Sequence, residues 1–338
     1  MWPAVPTIIF FMRRAKLPLL FILAAAGAGA QWRRVDQNPP EPPKAQAPKP
    51  EQETPTFKTG ASLVRVDVEV TDGRRAVTGL KQEDFVLREE GVQRTIEAFG
   101  REAEPLEVVL LLDVSGSMGK MLRGMAAAGR LALRQLNAGD RVAVFLFARR
   151  SRMAVELTDD LALAERALQE APLERDLGSG TVLNDALLAV AGYLREQPPF
   201  AGRRAVIVLT DNGGVHFRSP DEAVVKALSD LNAVVNAIVP GGARPPQGAA
   251  GPEVNPDFTP ANVFRIARET GGEVLTSDDA GGRFRELMER IRLRYSLLVR
   301  PAEGVAGTFR RLSVDLAEDA RRRYPKAEVR ARAGYYVP

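Results

Sequence analysis

Residues 108–117 read VVLLLDVSGS, and this stretch decides both the fold class and the candidate site. The apolar residues 108–112 have the continuous pattern of a strand that is buried on both faces, as in parallel sheets. Asp113, Ser115 and Ser117 follow at alternate positions, so the strand leads into a loop with one carboxylate and two hydroxyl groups. These are hard oxygen ligands of the kind that Mg²⁺ takes in proteins. The stretch therefore predicts a cation site at the carboxyl end of a buried strand.

The sequence on both sides of this stretch, from about residue 105 to 303, alternates between strand and helix patterns. Such alternation predicts an α/β fold with a doubly wound, mostly parallel sheet and helices on both faces. A fold of this kind binds ligands outside the carboxyl ends of its strands. The predicted strands are 107–112, 141–147, 153–157, 205–209, 234–239, 273–276 and 295–299, and the predicted helices are 121–136, 161–171, 182–196, 220–231, 261–270 and 284–293.

Two further polar loops are predicted at the edge where Asp113 emerges. Thr181 ends the turn GSGT and precedes a predicted helix, and Asp211 closely follows the apolar strand 205–209. Each residue also has a purely structural interpretation, because Asp, Ser and Thr are common in helix caps and turns. Asp113 or Ser117 would then cap the next helix. Only the combination of the three loops favours a metal site.

These three loops, in this order and on these strands, resemble those of a von Willebrand factor type A (VWFA) domain. The resemblance rests on DVSGS at 113–117, GTVLNDAL at 180–187 and LTD at 209–211. One departure lies in the third loop, where Asn212 stands at a position that is often Gly in the family and two glycines replace the usual acidic residue. Asp211 is intact, so the departure concerns the shape of this loop.

In that family the three loops form a metal-ion-dependent adhesion site for Mg²⁺. The remaining coordination position takes water or an Asp or Glu of a protein partner. Neutral hydroxyls with two carboxylates leave such an ion able to attract an acidic group, and Mg²⁺ prefers six oxygen ligands. By matching positions, the resemblance implies a metal site, open also to Mn²⁺ or Ca²⁺, made of Asp113, Ser115, Ser117, Thr181 and Asp211. Asp185 is expected to support the second loop rather than to bind metal.

The segments on either side of the central domain have the alternating pattern of antiparallel strands. They are similar to the flanks of a bacterial group of exported VWFA-related proteins. We expect residues 59–102 and 305–338 to form one small β module, into which the VWFA domain, residues 103–304, is inserted. The predicted flanking strands are 64–70, 85–88, 95–99, 309–316 and 327–332.

Residues 1–30 have the parts of a secretory signal peptide: a basic group at 13–16, an apolar run and small residues before a cleavage point. Cleavage is favoured over an uncleaved membrane anchor, because a membrane span needs about 20 apolar residues. Met12 is an alternative start for the same leader. Residues 31–58 are rich in Pro, Lys, Glu and Gln, which is typical of an extended linker. We therefore expect an exported protein of the periplasm, the cell envelope or the medium.

Composition excludes some function classes. The chain has 47 Lys and Arg against 43 Asp and Glu, and without the three bases of the leader these charges nearly balance, so nothing favours nucleic-acid binding. There is no cysteine for a disulfide or a lipid anchor. A Ser–His–Asp triad would need the single histidine, His216, and the strained Gly-x-Ser-x-Gly elbow is missing. We expect a binding protein rather than an enzyme, with a structural envelope component, whose β flanks make the contacts, as the alternative.

Overall fold

The computed structural model describes residues 63–101, 103–213, 219–246 and 261–337. The predicted leader and linker lie outside the described residues, as does His216. Within the described ranges no helix is long and apolar enough to cross a membrane. The strands are β1 (Val64–Asp72), β2 (Arg75–Ala76), β3 (Phe85–Glu89), β4 (Val92–Arg94), β5 (Ile96–Gly100), β6 (Leu106–Asp113), β7 (Arg141–Phe147), β8 (Ser151–Thr158), β9 (Arg203–Leu209), β10 (Ala233–Val239), β11 (Val274–Thr276), β12 (Tyr295–Val299), β13 (Phe309–Leu316), β14 (Glu328–Arg330) and β15 (Gly334–Tyr336). The helices are α1 (Gly119–Leu133), α2 (Leu161–Glu170), α3 (Leu183–Glu196), α4 (Asp221–Ser229), α5 (Val263–Thr270), α6 (Ala280–Arg292) and α7 (Glu318–Arg323).

A six-stranded sheet in the order β11-β10-β9-β6-β7-β8 forms the centre of the molecule. Its neighbouring strands are parallel except for β8, which runs antiparallel to β7. Helices α1, α2 and α6 pack on one face, and α3, α4 and α5 pack on the other. The prediction of a doubly wound, mostly parallel sheet flanked by helices is confirmed.

The central strand β6 shows why the apolar run is continuous. Val108, Leu110 and Leu112 belong to the core on one face of the sheet, whereas Val109 and Leu111 belong to the core on the other. All five side chains are buried. Because both faces are covered by helices, the first polar residue after this apolar run, Asp113, emerges at the carboxyl edge, where parallel strands place their ligand sites.

One predicted member of the central sheet lies elsewhere. The segment 295–299 is β12, which pairs antiparallel with β1 and with β5 instead of extending the parallel sheet. The hydroxyl of Tyr295 donates to the carbonyl oxygen of Val77 (2.8 Å) and accepts from the N–H of Leu80 (3.1 Å), which holds this strand against the N-terminal flank. The prediction was wrong because an apolar run that is buried on both faces looks the same in either sheet.

The flanking strands form two sheets. One has the order β14-β1-β12-β5, with β2 beside β1, and the other has the order β15-β13-β3-β4. Strands from the two ends of the chain pair in both sheets, β1 with β14 and β3 with β13. The sheets share one apolar core that includes Val66, Leu87 and Leu312. The boundaries of the domains stay a prediction.

Helices α6 and α7 show two kinds of difference from the sequence analysis. Helix α6 begins four residues earlier than predicted, because the side chain of Asp279 caps it by accepting a hydrogen bond from the N–H of Gly282 (2.8 Å). Helix α7 was not predicted at all. Its sequence, EDARRR, has no apolar periodicity that would indicate a helix.

A layer of buried charged groups lies at the amino edge of the central sheet. Arg203, at the start of β9, has a side chain that is only 2% exposed. Its guanidinium donates to the carbonyl oxygens of Ile291 (2.9 Å), Arg292 (3.1 Å) and Arg294 (3.1 Å), and so it satisfies the end of α6. Burial raises the pKa of Asp67 on β1, and the nearby charge of Arg203 opposes this shift. The layer therefore joins the flanking strands to the central sheet.

Arg203→Met should lower the free energy of unfolding by about 3 kcal/mol or more, because it removes three hydrogen bonds to carbonyl groups at the buried end of α6 and a charge that offsets Asp67. Urea unfolding followed by circular dichroism measures the change. Arg322→Met is the matched control, since Arg322 pairs with Glu318 and Asp319 at the surface and should contribute less than about 1 kcal/mol. Equal losses in the two variants would contradict the structural role of the buried layer.

Candidate metal site

Strand β6 ends at Asp113, whose side chain is fully buried at the carboxyl edge of the central sheet. Its Oδ1 atom accepts a hydrogen bond from the N–H of Ser115 (3.0 Å), and its Oδ2 atom accepts one from the hydroxyl of Thr210 (2.8 Å). Burial raises the pKa of Asp113 to about 6 despite these hydrogen bonds, and the negative charge of Asp211 raises it further. A cation beside this carboxyl group would stabilise its charged form.

The two serines of the first loop face the third loop. The Oγ atoms of Ser115 and Ser117 are 3.3 Å apart, and the hydroxyl of Ser117 donates to Oδ2 of Asp211 (2.6 Å). Neither serine acts as a side-chain cap of α1, whose N-cap is Met118 and has no side-chain hydrogen bond. The capping interpretation of Ser117 therefore gives way to a contact between two loops that are 94 residues apart in the sequence.

The second loop, which contains Thr181, is held at the same edge by backbone hydrogen bonds of its other residues. The N–H of Val182 donates to the carbonyl oxygen of Ala148, the residue directly after β7 (2.9 Å), and the N–H of Arg150 donates to Leu177 in the same loop (3.1 Å). Since β7 pairs with β6, the second loop lies beside the strand that delivers Asp113. Hydrogen bonds connect four of the five predicted ligands, Asp113, Ser115, Ser117 and Asp211. Within the described residues Thr181 makes no hydrogen bond to any of these four.

A second layer of polar residues supports the loops, and the sequence analysis did not identify it. Thr210 is fully buried, and its hydroxyl both donates to Asp113 and accepts from the N–H of Asn212 (3.1 Å). The side chain of Asn184, also fully buried, donates to Asp221 (2.9 Å) at the start of α4. The only signal for Thr210 was a polar residue at the end of an apolar strand.

A hydrogen bond also holds Asp185, a residue of α3 just after the second loop. The hydroxyl of Ser219 donates to Oδ1 of Asp185, which lies in the first turn of α3. This contact joins the first turn of α3 to the segment before α4, and the supporting role of Asp185 stays a prediction.

Two pairs of hydrogen-bonded oxygen atoms in the site have separations close to those of oxygen ligands around a small cation. Mg²⁺ binds oxygen at about 2.1 Å in octahedral geometry, which places neighbouring ligand oxygens about 3 Å apart. The separations of 3.3 Å between the two serine hydroxyls and 2.6 Å from Ser117 to Asp211 lie on either side of that value. Among the described residues, no group of three or more His, Cys, Asp or Glu side chains could hold a metal, so a site here must use hydroxyl ligands. The donor set fits a hard divalent cation.

Comparison with known proteins identifies the central domain. Residues 108–214 match the family model of the von Willebrand factor type A domain, and this match contains the first loop, Thr181 and Asp211. Residues 108–214 therefore belong to a VWFA-type domain. Domains of this family are typically interaction modules rather than enzymes. No curated protein matches the chain.

Several solved structures are similar to this chain at low sequence identity. A von Willebrand factor type A protein from Catenulispora acidiphila is 16% identical and covers 78% of this chain and 72% of its own, with a TM-score of 0.42. An aerotolerance-related membrane protein from Bacteroides fragilis is 19% identical and covers 55% of this chain and 98% of its own, with a TM-score of 0.43. Proximal thread matrix protein 1 from the mussel byssus, described with a zinc-occupied MIDAS motif, is 18% identical and covers 61% of this chain and 50% of its own, with a TM-score of 0.43.

The raised pKa of Asp113 predicts how the metal-free VWFA domain responds to pH. The pKa is about 6 in the folded chain and near 3.8 in the unfolded chain, so the folded state holds the proton more tightly. This preference stabilises the fold below about pH 4 and is lost as the pH rises through 6. In EDTA, Asp113→Asn should therefore be more stable than the wild type at pH 7.5, by up to about 3 kcal/mol. The two proteins should differ much less at pH 4.5, as measured by urea unfolding.

A difference between the two proteins that does not change with pH would show that Asp113 titrates normally. Asp185→Asn is the control for the loss of a carboxylate in the same region, because Asp185 is exposed and this variant keeps the carboxyl group of Asp113.

Proposed function

We propose that the VWFA domain binds Mg²⁺ through Asp113, Ser115, Ser117, Thr181 and Asp211 and captures an acidic side chain of a protein partner. Mn²⁺ or Ca²⁺ would take the same place, since both also accept oxygen ligands. The single observation that carries this proposal is the contact between Ser117 and Asp211, which joins the first and third loops over the buried carboxylate of Asp113. The site would be part of an interaction surface and not a catalytic centre.

The chemistry of the ligands explains why such a site would attract a carboxylate. Only Asp113 and Asp211 bring negative charge, and the three other ligands are neutral hydroxyl groups. The hydrogen bonds from Ser115 and Thr210 draw charge density from Asp113, which weakens its effective charge. A divalent ion in this setting keeps a positive field at its open position, where a partner's Asp or Glu can complete the coordination.

Catalysis has less support than binding. Activation of a metal-bound water needs a base, and Asp113 and Asp211 are both assigned to the ion itself. The histidine that a hydrolytic triad would need, His216, lies outside the described residues. The domain family, typically made of interaction modules, favours the same interpretation.

We also propose that the protein acts after export. Residues 1–30 would direct the chain across the membrane, or anchor it if they are not cleaved, and residues 31–58 would separate the folded part from the envelope. A partner would then be another envelope or extracellular protein.

Mg²⁺ should raise the melting temperature of the wild type and leave that of Asp211→Ala unchanged, because only an occupied site stabilises the fold. At a concentration about 100 times the Kd, the shift should be roughly 5–10 °C. Differential scanning fluorimetry in EDTA-treated buffer measures it. Asp278→Ala is the matched control, since Asp278 is an exposed Asp that follows β11 at the same edge and holds the N–H of Gly241 (2.9 Å). A shift of equal size in Asp211→Ala would reject the assignment of this ligand.

Partner capture should depend on the ion and on an acidic group. Immobilised wild type, incubated with an envelope extract, should retain its partner in Mg²⁺ and release it in EDTA, whereas Asp113→Ala should not retain it in either buffer. A short peptide with one Glu should compete, and the same peptide with Gln should not, because the amide carries no charge. Capture that is equal in all these conditions, with the fold intact, would instead support the alternative in which the β flanks make the contacts.

A further inference from the structure

Asn212 gives the third loop a backbone conformation that most residues avoid. Its φ angle is +57°, in the left-handed region where glycine, asparagine and aspartate are favoured. Its side chain is nearly buried, with 9% of the residue exposed. A glycine would reach the same angle without strain. The presence of asparagine therefore points to a task for the side chain that glycine lacks.

That side chain connects the loop to a distant helix. Oδ1 of Asn212 accepts a hydrogen bond from the N–H of Val263, the first residue of α5 (3.0 Å). Its backbone N–H donates to the hydroxyl of Thr210, which in turn donates to Asp113. An unbroken series of hydrogen bonds thus runs from the start of α5 through Asn212 and Thr210 to the buried carboxylate of Asp113.

The bond to Val263 is not required to start the helix. Helix α5 has its own cap, because the side chain of Asn262 accepts from the N–H of Arg265 (3.0 Å). Val263 is fully buried, so its N–H needs a protein acceptor, and the side chain of Asn212 supplies it. Because this bond joins a helix with a separate cap to the third loop, it also restrains the loop.

We propose that Asn212 is a positioning residue that fixes the third loop before the metal binds. This role rests on the proposed function, in which Asp211 is a ligand. With residue 212 held at both its backbone and its side chain, Asp211 stays directed towards Ser117, to which it is bonded at 2.6 Å. A loop that is already ordered loses less conformational freedom on binding, so the affinity for the ion is higher than in a loop that pivots freely on glycine.

The test compares two asparagines with the same backbone geometry. Asn212→Gly keeps the left-handed conformation and removes the bond to Val263, so Mg²⁺ binding should weaken about tenfold, at the lower end of the range for partners that orient ligands. Asn232→Gly is the matched control. Asn232 has a φ of +53° and accepts a hydrogen bond from Arg332 (3.0 Å) at the end of α4, so its loss should lower the melting temperature without changing the Mg²⁺ Kd. Isothermal titration calorimetry on the metal-free chain gives both Kd values.

A second variant removes the same bond from the other side. Val263→Pro deletes the donor N–H at the first helical position, where proline is well accepted. It should weaken Mg²⁺ binding as much as Asn212→Gly does, and the double variant should be no weaker than either single variant. If the wild type binds Mg²⁺ and Asn212→Gly binds it equally well, the positioning role is overturned while the metal site stands. If the wild type binds no Mg²⁺, the proposed function itself fails and this role fails with it.

Discussion

The burial of the Asp113 carboxyl group is the constraint on which the candidate site depends. Water cannot solvate this group, so its two oxygen atoms must be satisfied by protein donors or by a cation. The N–H of Ser115 donates to one oxygen, and this bond turns the chain directly after β6. The hydroxyl of Thr210, at the end of β9, donates to the other. These two bonds bring the first and third loops into register, and the contact between Ser117 and Asp211 follows from that arrangement.

Much of the fold could be predicted from local pattern. A continuous apolar run such as 108–112 can be buried on both faces only in a sheet that is covered on both sides. The segments with helical periodicity between the apolar runs provide the helices that cover it. The same reasoning placed segment 295–299 in the wrong sheet, because its strand is also buried on both faces but belongs to a different sheet. Which sheet a buried strand joins is decided by long-range pairing, here with β1 at the opposite end of the chain. Local sequence carries no information about that pairing.

The same distinction separates the predicted from the missed residues of the site. Asp113, Ser115 and Ser117 were visible because one strand and its loop place them within five residues. Thr210 and Asn212 were missed as supporting groups, because their roles depend on partners that the fold brings together. Asn212 bonds a helix that begins 51 residues later, and only its unusual position after Asp211 signalled anything about the loop. Spacing predicts which side chains share an edge, whereas the orientation of each loop depends on tertiary hydrogen bonds.

The two edges of the central sheet are connected through a pair of closely packed helices. Arg203 at the amino edge holds the carboxyl end of α6 through three carbonyl groups. Helix α6 then lies against α1 at a crossing where Gly281 meets Gly124, so close that a Cβ at residue 281 would lie 2.6 Å from the carbonyl oxygen of Gly124. Helix α1 begins directly after the loop of Ser117. Because side chains larger than glycine would separate the helices, this contact leaves α1 little freedom to shift, so Arg203 at one edge of the sheet helps to restrain the first loop at the other edge.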